Sequence, residues 1–204
     1  MSTRIQLGEV KIIDLYRESK KSFFRVEALE SYNVASEADA LDKYFSGDPL
    51  PKPLDATKEW YKLMTRCAQE GRPTQRVRAV SQKLSPYVRW EMEWVYNQAA
   101  QYGESFNVIV KEQHPDLADA WNEEYYVVDD KRLVYLKYDS TNRFLGLEES
   151  TDSLEIQKRL EHKKRLLENA IPYKQFLAHL RTNAILVIPE IGLKKTDIQP
   201  AHEL

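Results

Sequence analysis

The chain has 204 residues, of which 42% are hydrophobic and 30% charged, a composition typical of a folded protein and unlike that of a disordered chain. Its 30 basic and 32 acidic residues leave a net charge of −2, which argues against a chain-wide electrostatic surface for nucleic acid. The single cysteine, Cys67, excludes an internal disulfide and a cysteine-based zinc site. No apolar segment has the length of a membrane span or the form of a signal peptide, so we expect a cytoplasmic protein without membrane association.

The first 70 residues are expected to form helices around one strand. Helical spacing and helix-terminating residues predict three helices, over 5–20, 36–45 and 55–70. The first of these precedes a segment, 22–29, whose aromatic and β-branched content predicts a strand. The second is expected to be capped by Ser36, with Asp39 in the capping-box position. A proline-rich connector over 47–55 leads to the third, whose predicted buried stripe is Trp60, Leu63, Met64 and Cys67.

The middle of the chain predicts a strand–helix–strand unit, over 75–81, 85–103 and 106–110. Ser85 is a suitable N-cap, Pro86 suits the first helical position, and Gly103 is suited to end the helix. A unit of this kind is expected to form a right-handed crossover that places its two strands side by side and parallel.

The second half of the chain predicts, in order, a polar loop, a hairpin, a strand and a long helix, over 111–123, 124–139, 143–150 and 152–180. The hairpin turn is predicted at 129–131, and Pro172 is expected to kink or divide the helix. A short apolar run follows over 184–190. Together these elements predict one α/β domain over 1–190, in which a mixed β-sheet is flanked by helices and the N-terminal portion is helical, with a C-terminal tail over 191–204.

Most familiar catalytic motifs are missing from the sequence. There is no glycine-rich phosphate loop, GxSxG or HExxH motif, so the sequence predicts no cofactor, no metal site and no catalytic residue. His114, Asp116 and Asp119 are loosely spaced, which favours a solvated acidic loop over a metal site. Cys67 falls on the predicted apolar stripe of its helix, which favours a core position over a nucleophile.

The predicted C-terminal helix carries a basic face. Lys158, His162 and Arg165 lie on the side opposite the apolar residues Ile156, Leu160 and Leu167. Such a face could contact phosphates or an acidic partner. The alternative is the solvated side of an ordinary amphipathic helix.

A carboxylate and an amide interrupt the apolar face of the predicted helix 85–103. By the helical period, Glu91 and Gln98 fall inside the apolar arc, whereas Tyr96 falls on the opposite side. A buried carboxylate without a partner would be costly, and the preceding strand carries Arg76 and Arg78 on one face. We therefore predict that Glu91 is largely buried and accepts a charge-assisted hydrogen bond from Arg76 or Arg78. Three interpretations stay open: a structural ion pair, arginines that point to solvent from an edge strand, and a ligand or partner site formed by Arg76, Arg78, Glu91 and Gln98.

Several stretches match a known family in order and spacing over about residues 10–180. They are FFRVEALESYNVASEADALDKYFSGDPLP, RVRAVSQKLSPYVRWEMEWVYNQAAQYGE, YYVVDDKRLVYLKYDSTNRFLGLEES and AIPYKQFL. The chain thereby resembles the bacterial domain-of-unknown-function family 6879, which is widespread in actinobacteria. Tyr125 and Tyr126 replace that family's usual tryptophan–phenylalanine pair. Members often lie near helix-turn-helix regulators, so the resemblance implies a regulatory context and a protein partner of that kind, and it transfers no catalytic residue.

The element order from Arg76 onward is also similar to one half of a phospholipase D-like fold. Non-catalytic versions of that fold serve as sensor domains of transcription regulators, which implies a sensing role. Its catalytic signature is His-x-Lys followed, after four further residues, by aspartate. His162 and Lys164 match the first part, but Asn169 stands where the aspartate is required.

The resulting hypothesis is a non-catalytic bacterial regulatory or interaction module that binds a protein partner or a small ligand. Two alternatives remain. One is a phospholipase D-like enzyme of phosphodiesterase type with an altered motif. The other is an accessory protein that binds nucleic acid through Lys158, His162 and Arg165, although the net charge argues against such binding by this chain alone.

Overall fold

One mixed sheet of eight strands forms the centre of the part of the chain that the structure, a computed structural model, describes: residues 4–8, 10–49 and 55–184. The strands are β1 Arg4–Gln6, β2 Phe23–Glu27, β3 Thr74–Val80, β4 Glu104–Val110, β5 Glu124–Val128, β6 Arg132–Tyr138, β7 Phe144–Ser150 and β8 Ile171–Pro172. Their spatial order is β1-β7-β6-β5-β2-β3-β4-β8. The predicted tail, 191–204, lies outside the described residues, as does all but the first residue of the apolar run 184–190.

Among the described residues, the sheet has two parallel pairs of neighbouring strands, β2–β3 and β3–β4. Strands β2, β3 and β4 run parallel, and every other neighbouring pair is antiparallel. The predicted parallel pair β3–β4 is therefore confirmed. The interpretation of β3 as an edge strand is wrong, because β3 lies between β2 and β4 in the sheet.

Helices cover both faces of this sheet. They are α1 Ile12–Glu18, α2 Ala38–Phe45, α3 Asp55–Gln69, α4 Pro86–Trp90, α5 Tyr96–Ala99, α6 Ser153–Asn169 and α7 Tyr173–Ala184. Leu166 of α6 packs on one face of the sheet, whereas α1, α3 and the helical segment 86–102 pack on the other. The predicted arrangement of a mixed sheet flanked by helices is thus confirmed. No helix in the described ranges is both long and apolar enough to cross a membrane.

The hairpin turn lies where it was predicted and is stabilised by its own aspartates. Asp129 and Asp130 both have a φ of 56°, the left-handed conformation that a two-residue hairpin turn with primed geometry requires and that aspartate tolerates. The Asp129 carboxylate accepts hydrogen bonds from the backbone N–H groups of Lys20, Lys21 and Ser22. These bonds attach the turn to the segment that enters β2.

Three local predictions differ from the structure. The helix predicted over 5–20 is wrong at its start, because residues 4–6 form strand β1, which pairs with β7; tertiary strand pairing overrides the local helical pattern here. Ser36 is not the cap of α2, because residues 35–37 form a 3₁₀ turn and the helix begins at Ala38. Pro172 does divide the long helix, but it also pairs with β4 as part of β8.

Candidate functional site

Charged side chains are concentrated on the sheet face beneath the helical segment 86–102. Because alternate residues of a strand share a face, Arg25 and Glu27 of β2 lie beside Arg76 and Arg78 of β3, in register. The set that they form with side chains from neighbouring elements is named here the buried charge cluster, and its members are Arg25, Glu27, Arg76, Arg78, Glu91, Glu104 and Glu124.

Glu27 is the centre of the buried charge cluster and is only 1% exposed. Its Oε1 lies 2.8 Å from Nη1 of Arg76 and 2.8 Å from Nη2 of Arg25, and its Oε2 accepts a hydrogen bond of 2.9 Å from the Tyr96 hydroxyl. Burial by itself raises the pKa of Glu27, but the surrounding arginines and the Tyr96 hydrogen bond outweigh burial and lower that pKa to about 2. Glu27 is therefore ionised at any physiological pH.

Arg76 connects Glu27 to a second carboxylate. Its Nη2 and Nε donate to the same oxygen of Glu104, at 2.7 and 3.1 Å, while its Nη1 bonds Glu27. The guanidinium also lies 5.1 Å from the centre of the Phe106 ring and 5.7 Å from that of Tyr96, which adds cation–π attraction in a site away from water. Arg76 thus has acceptors for every nitrogen and holds the β3 and β4 side of the cluster together.

Arg78 and Glu91 form the ion pair that the sequence predicted. Arg78 is 0% exposed, Glu91 is 5% exposed, and Nη2 of Arg78 lies 3.1 Å from Oε2 of Glu91. The predicted charge-assisted hydrogen bond is not formed, because the two groups approach as ions without the alignment of a hydrogen bond. Among the described residues, Nε and Nη2 of Arg78 and Oε2 of Glu91 have no hydrogen-bond partner. The remaining nitrogen, Nη1, donates to the Tyr32 hydroxyl at 2.8 Å, and Tyr32 in turn donates to Glu124.

Glu91 differs from Glu27 in its titration. Burial raises the pKa of Glu91 to about 7, and attraction to Arg78 opposes this rise without cancelling it. The two buried glutamates of one cluster therefore have separated pKa values, about 2 for Glu27 and about 7 for Glu91. Unlike Glu27, Glu91 can therefore gain or lose a proton near neutral pH.

This titration predicts a pH dependence of stability. Because the pKa of Glu91 is higher in the folded chain than in the unfolded chain, its contribution is complete below about pH 4.5 and is lost as the pH rises through 7. Between pH 5 and pH 8, the wild type should lose about 2–3 kcal/mol of unfolding free energy through this residue. Urea denaturation of wild type and Glu91→Gln at both pH values measures this loss of unfolding free energy, and Glu93→Gln is the matched control. An equal loss in Glu91→Gln would contradict the assignment.

A π-helical turn, Glu91–Val95, begins at Glu91 and separates α4 from α5. A π turn holds more residues than an α turn, so it shifts every later side chain around the helix axis. Tyr96, predicted on the side away from the apolar arc, is instead completely buried and bonds Glu27. Gln98, predicted beside Glu91, accepts a hydrogen bond of 3.3 Å from Tyr61, which is not a member of the cluster. The α-helical period used for the prediction is wrong beyond residue 91.

Four cluster residues, and one tyrosine that bridges two of its members, were not singled out from the sequence. They are Arg25, Glu27, Glu104, Glu124 and the bridging Tyr32. Arg25 and Glu27 could have been recognised from the sequence. They alternate with Phe24 and Val26 in the strand, and the residues next to each of them along the chain are apolar. Glu104 and Glu124 stand at strand starts, where polar residues are common, so the sequence did not distinguish them.

The predicted basic face on α6 is largely neutralised. Lys158 pairs with Asp119 at 3.1 Å, and Arg165 pairs with Asp116. His162 is not on an exposed side, since it is 8% exposed. Burial and nearby Arg159 lower the pKa of the His162 imidazole, so the ring carries no charge at neutral pH. The segment 111–123, predicted to be a polar loop, forms two 3₁₀ turns, and its Asp116 and Asp119 side chains stay largely exposed while they pair with this face.

Cys67 occupies the predicted core position. It is completely buried in the cluster that contains Leu63 and Met64, and burial raises the pKa of its thiol. A protonated, buried thiol is a poor nucleophile. The described part of the chain contains no group of three histidine, cysteine or acidic side chains arranged to hold a metal ion.

Comparisons with known proteins give one family match. Residues 11–178 match the family described as Domain of unknown function (DUF6879). No curated protein matches the chain. Among solved structures, one described as TrmBL2, an archaeal chromatin protein with a novel mode of DNA binding, is similar at 10% identity and a TM-score of 0.41. The match covers 83% of this chain and 53% of that chain, so this chain spans about half the length of TrmBL2. A likeness this distant carries no functional argument.

Proposed function

Since the chain belongs to the DUF6879 family, a domain of unknown function, we propose its function from the geometry of the buried charge cluster. The chain is a non-catalytic regulatory module that binds a small polar ligand, or an acidic group of a protein partner, at the Arg78 end of that cluster. The proposal includes the predicted residues Arg76, Arg78 and Glu91. Gln98 is left out because the hydrogen bond that it accepts comes from Tyr61, which is outside the cluster.

The observation that carries this proposal is the incomplete bonding of Arg78. A buried guanidinium normally has a hydrogen-bond acceptor for each of its N–H groups, because an unmatched buried donor is costly. Arg78 is completely buried, yet its Nε and Nη2 have no aligned acceptor in the described residues. By contrast, Arg76, which lies two residues earlier on the same face of β3, has an acceptor for each of its side-chain nitrogens. Arg78 therefore retains bonding capacity that a ligand can use.

The position of Arg78 in the sheet supports the same proposal. Ligands of α/β proteins commonly bind beyond the carboxyl ends of parallel strands, at the point where the strand order reverses. Here β3 and β4 follow β2 on one side, and the chain then returns to place β5 on the other side of β2. Beyond the ends of β2, β3 and β4, Glu30 accepts hydrogen bonds from Ser81 at 2.7 Å and from Lys111 at 3.1 Å. These bonds assemble the three loops next to the cluster.

The proposal can be tested by identifying the molecules that stay bound to the domain during purification. We would purify the tagged chain from its own host and analyse bound small molecules by native mass spectrometry and bound proteins by crosslinking. The comparison variants are the double variant Arg78→Met/Glu91→Met and the exposed control Arg89→Met. A ligand or partner retained by wild type and Arg89→Met but absent from the double variant is expected. Equal retention by all three proteins, or nothing retained by wild type, would overturn the proposal.

The sequence resemblance supports a biological context for the proposed binding of a ligand or partner. It associates the chain with actinobacterial proteins encoded near helix-turn-helix regulators, and the similarity to a phospholipase D-like half-fold implies a sensor role. Within this proposal the module acts in the bacterial cytoplasm, and a helix-turn-helix regulator is the protein partner that the resemblance favours.

The proposal implies that the chain has no phosphodiesterase activity. His162 and Lys164 both lie within α6, and the buried His162 ring contacts Arg159 at 3.4 Å. Asn169 occupies the position where the enzyme signature has aspartate. We expect no hydrolysis of bis-p-nitrophenyl phosphate above the buffer rate. A measured rate that disappears in His162→Ala but persists in His179→Ala would establish the enzyme instead.

We also expect only weak, non-specific binding of duplex DNA by this chain. Lys158 and Arg165 are neutralised by Asp119 and Asp116, so few cations remain to displace counterions from phosphates. A mobility-shift assay at physiological salt should give a dissociation constant above about 1 μM, and Asp116→Asn/Asp119→Asn should bind more tightly than wild type. Sub-micromolar, sequence-dependent binding by wild type would support the nucleic-acid alternative.

A further inference from the structure

A cavity of about 570 Å³ lies beside α3, is open to solvent and shares no residue with the buried charge cluster. Its lining includes three cationic residues of α3, Lys58, Lys62 and Arg66, and the two tyrosines Tyr61 and Tyr102. We propose that this cavity binds a compound that carries a chain of phosphate groups. Binding there is separate from the function proposed for the Arg78 end of the cluster.

The three cations form a row along the exposed face of α3. Lys58, Lys62 and Arg66 are spaced four residues apart, so they lie on one side of the helix over a length of about 12 Å. All three side chains are exposed, and none of the residues that line the cavity is acidic. Because like charges at this spacing repel one another, an anion that bridges the row removes an unfavourable interaction as it binds.

The row on α3 is less neutralised than the basic face on α6, where both charged residues have aspartate partners. Lys62 has no ion-pair partner in the part of the chain that the structure describes. Arg66 approaches Glu70 at 3.5 Å, but the same carboxylate lies closer to Arg72, at 2.7 Å. The positive charge of the row is therefore available to a ligand.

The wall of the cavity opposite the row is held against α3 by a glycine. Gly103 has a φ of 99°, and a Cβ atom at this position would lie 2.6 Å from Cβ of Ala68 in α3. Only glycine permits this approach, which brings the preceding residue, Tyr102, against the helix. The Tyr102 ring stacks on that of Tyr61, with centres 4.2 Å apart and planes 13° apart. The cavity is thus formed before any ligand binds.

The size and chemistry of the cavity favour a small phosphate compound. Its volume falls in the range of small-molecule sites, so it suits neither a protein helix nor a nucleic-acid duplex. Guanidinium groups bind phosphate oxygens in pairs, and lysine binds them as a point charge. A chain of phosphates can contact successive cations of the row, whereas orthophosphate reaches fewer of them. The half-buried Tyr102 ring offers a surface on which a nucleobase can stack. Nucleoside polyphosphates and inorganic polyphosphate share the required chemistry.

Isothermal titration calorimetry with sodium tripolyphosphate and with ATP, both without magnesium, tests this proposal. At about 50 mM salt, where exposed charges are only partly screened, we expect a dissociation constant below about 1 mM for at least one of the two compounds. Orthophosphate should bind at least about tenfold more weakly than tripolyphosphate. Lys62→Met/Arg66→Met should weaken binding about tenfold or more. The control Lys131→Met/Lys174→Met removes the same charge from exposed positions outside the cavity and should bind as wild type does.

Tyr102→Leu identifies the source of the phosphate chain. Tighter binding of ATP than of tripolyphosphate, lost in Tyr102→Leu, would assign the site to nucleoside polyphosphates. Equal binding of both compounds, unchanged in Tyr102→Leu, would assign it to inorganic polyphosphate.

Three results would overturn the proposal. They are no binding of either compound, equal weakening by the two double variants, and tighter binding of a hexaglutamate peptide than of both phosphate compounds, which would assign the row to an acidic protein segment. Arg78→Met/Glu91→Met should bind tripolyphosphate and ATP as wild type does. Failure at the α3 cavity therefore leaves the function proposed for Arg78 untouched, and the reverse also holds.

Discussion

Replacing Glu27 with alanine should lower the free energy of unfolding by about 3–5 kcal/mol, the range measured when one member of a buried ion pair is removed. The side chain is shared by Arg25, Arg76 and the Tyr96 hydroxyl, so its loss leaves two buried guanidinium groups with fewer acceptors than donors. Urea denaturation at pH 7 measures the change.

The matched control for this change is Glu59→Ala. Glu59 also pairs with an arginine, Arg17 at 3.3 Å, but its side chain is 77% exposed, and exposed pairs contribute little. We expect a change of about 0.5 kcal/mol or less for the control. A loss below about 1 kcal/mol for Glu27→Ala would show that water or a rearranged partner replaces the carboxylate.

The cluster also has a role in the sheet that does not depend on a ligand. A strand that slips by one residue exchanges its two faces, which would place Arg76 and Arg78 of β3 among the apolar residues beneath α6. The bonds from Glu27 to Arg76 and from Arg76 to Glu104 cross three neighbouring strands. They therefore penalise incorrect registers of β2, β3 and β4 more strongly than apolar contacts would.

The local parts of the site could be predicted from the sequence. The helical segment begins and ends where the sequence predicts, at Ser85 and Pro86 and at Gly103. The Ser85 hydroxyl accepts a hydrogen bond from the Val88 N–H, and Gly103 has a φ of 99°. Within that segment, the position of Glu91 among apolar neighbours correctly indicated burial next to β3. The prediction succeeded because a βαβ crossover brings a helix back over its own strand.

The other parts of the site depend on contacts between distant residues. Glu124 joins the cluster because β5 pairs with β2, a pairing across about half the chain that local patterns do not encode. The π turn at Glu91 has no recognised signature in the sequence, so the positions of Tyr96 and Gln98 could not be obtained from the α-helical period. Likewise, the neutralisation of the basic face on α6 required the placement of Asp116 and Asp119 by tertiary packing.

The second prediction with a large effect concerns Arg78 and Glu91 together. Glu91→Ala should cost about 3–5 kcal/mol at pH 8, because it leaves a completely buried guanidinium without its counter-ion. The double variant Arg78→Met/Glu91→Met should cost less than Glu91→Ala, because apolar side chains of similar volume remove both desolvation penalties at once. Urea denaturation of wild type, both single methionine variants and the double variant forms a complete cycle.

The exposed pair Arg89 and Glu93, on the same helical segment at 3.1 Å, provides the control cycle. Its coupling energy should be about 0.3–0.5 kcal/mol, the usual value for exposed residues four apart on a helix. If the losses of Arg78→Met and Glu91→Met simply add in the double variant, the two side chains do not act as a pair. Their close approach of 3.1 Å would then not account for the burial of either charge.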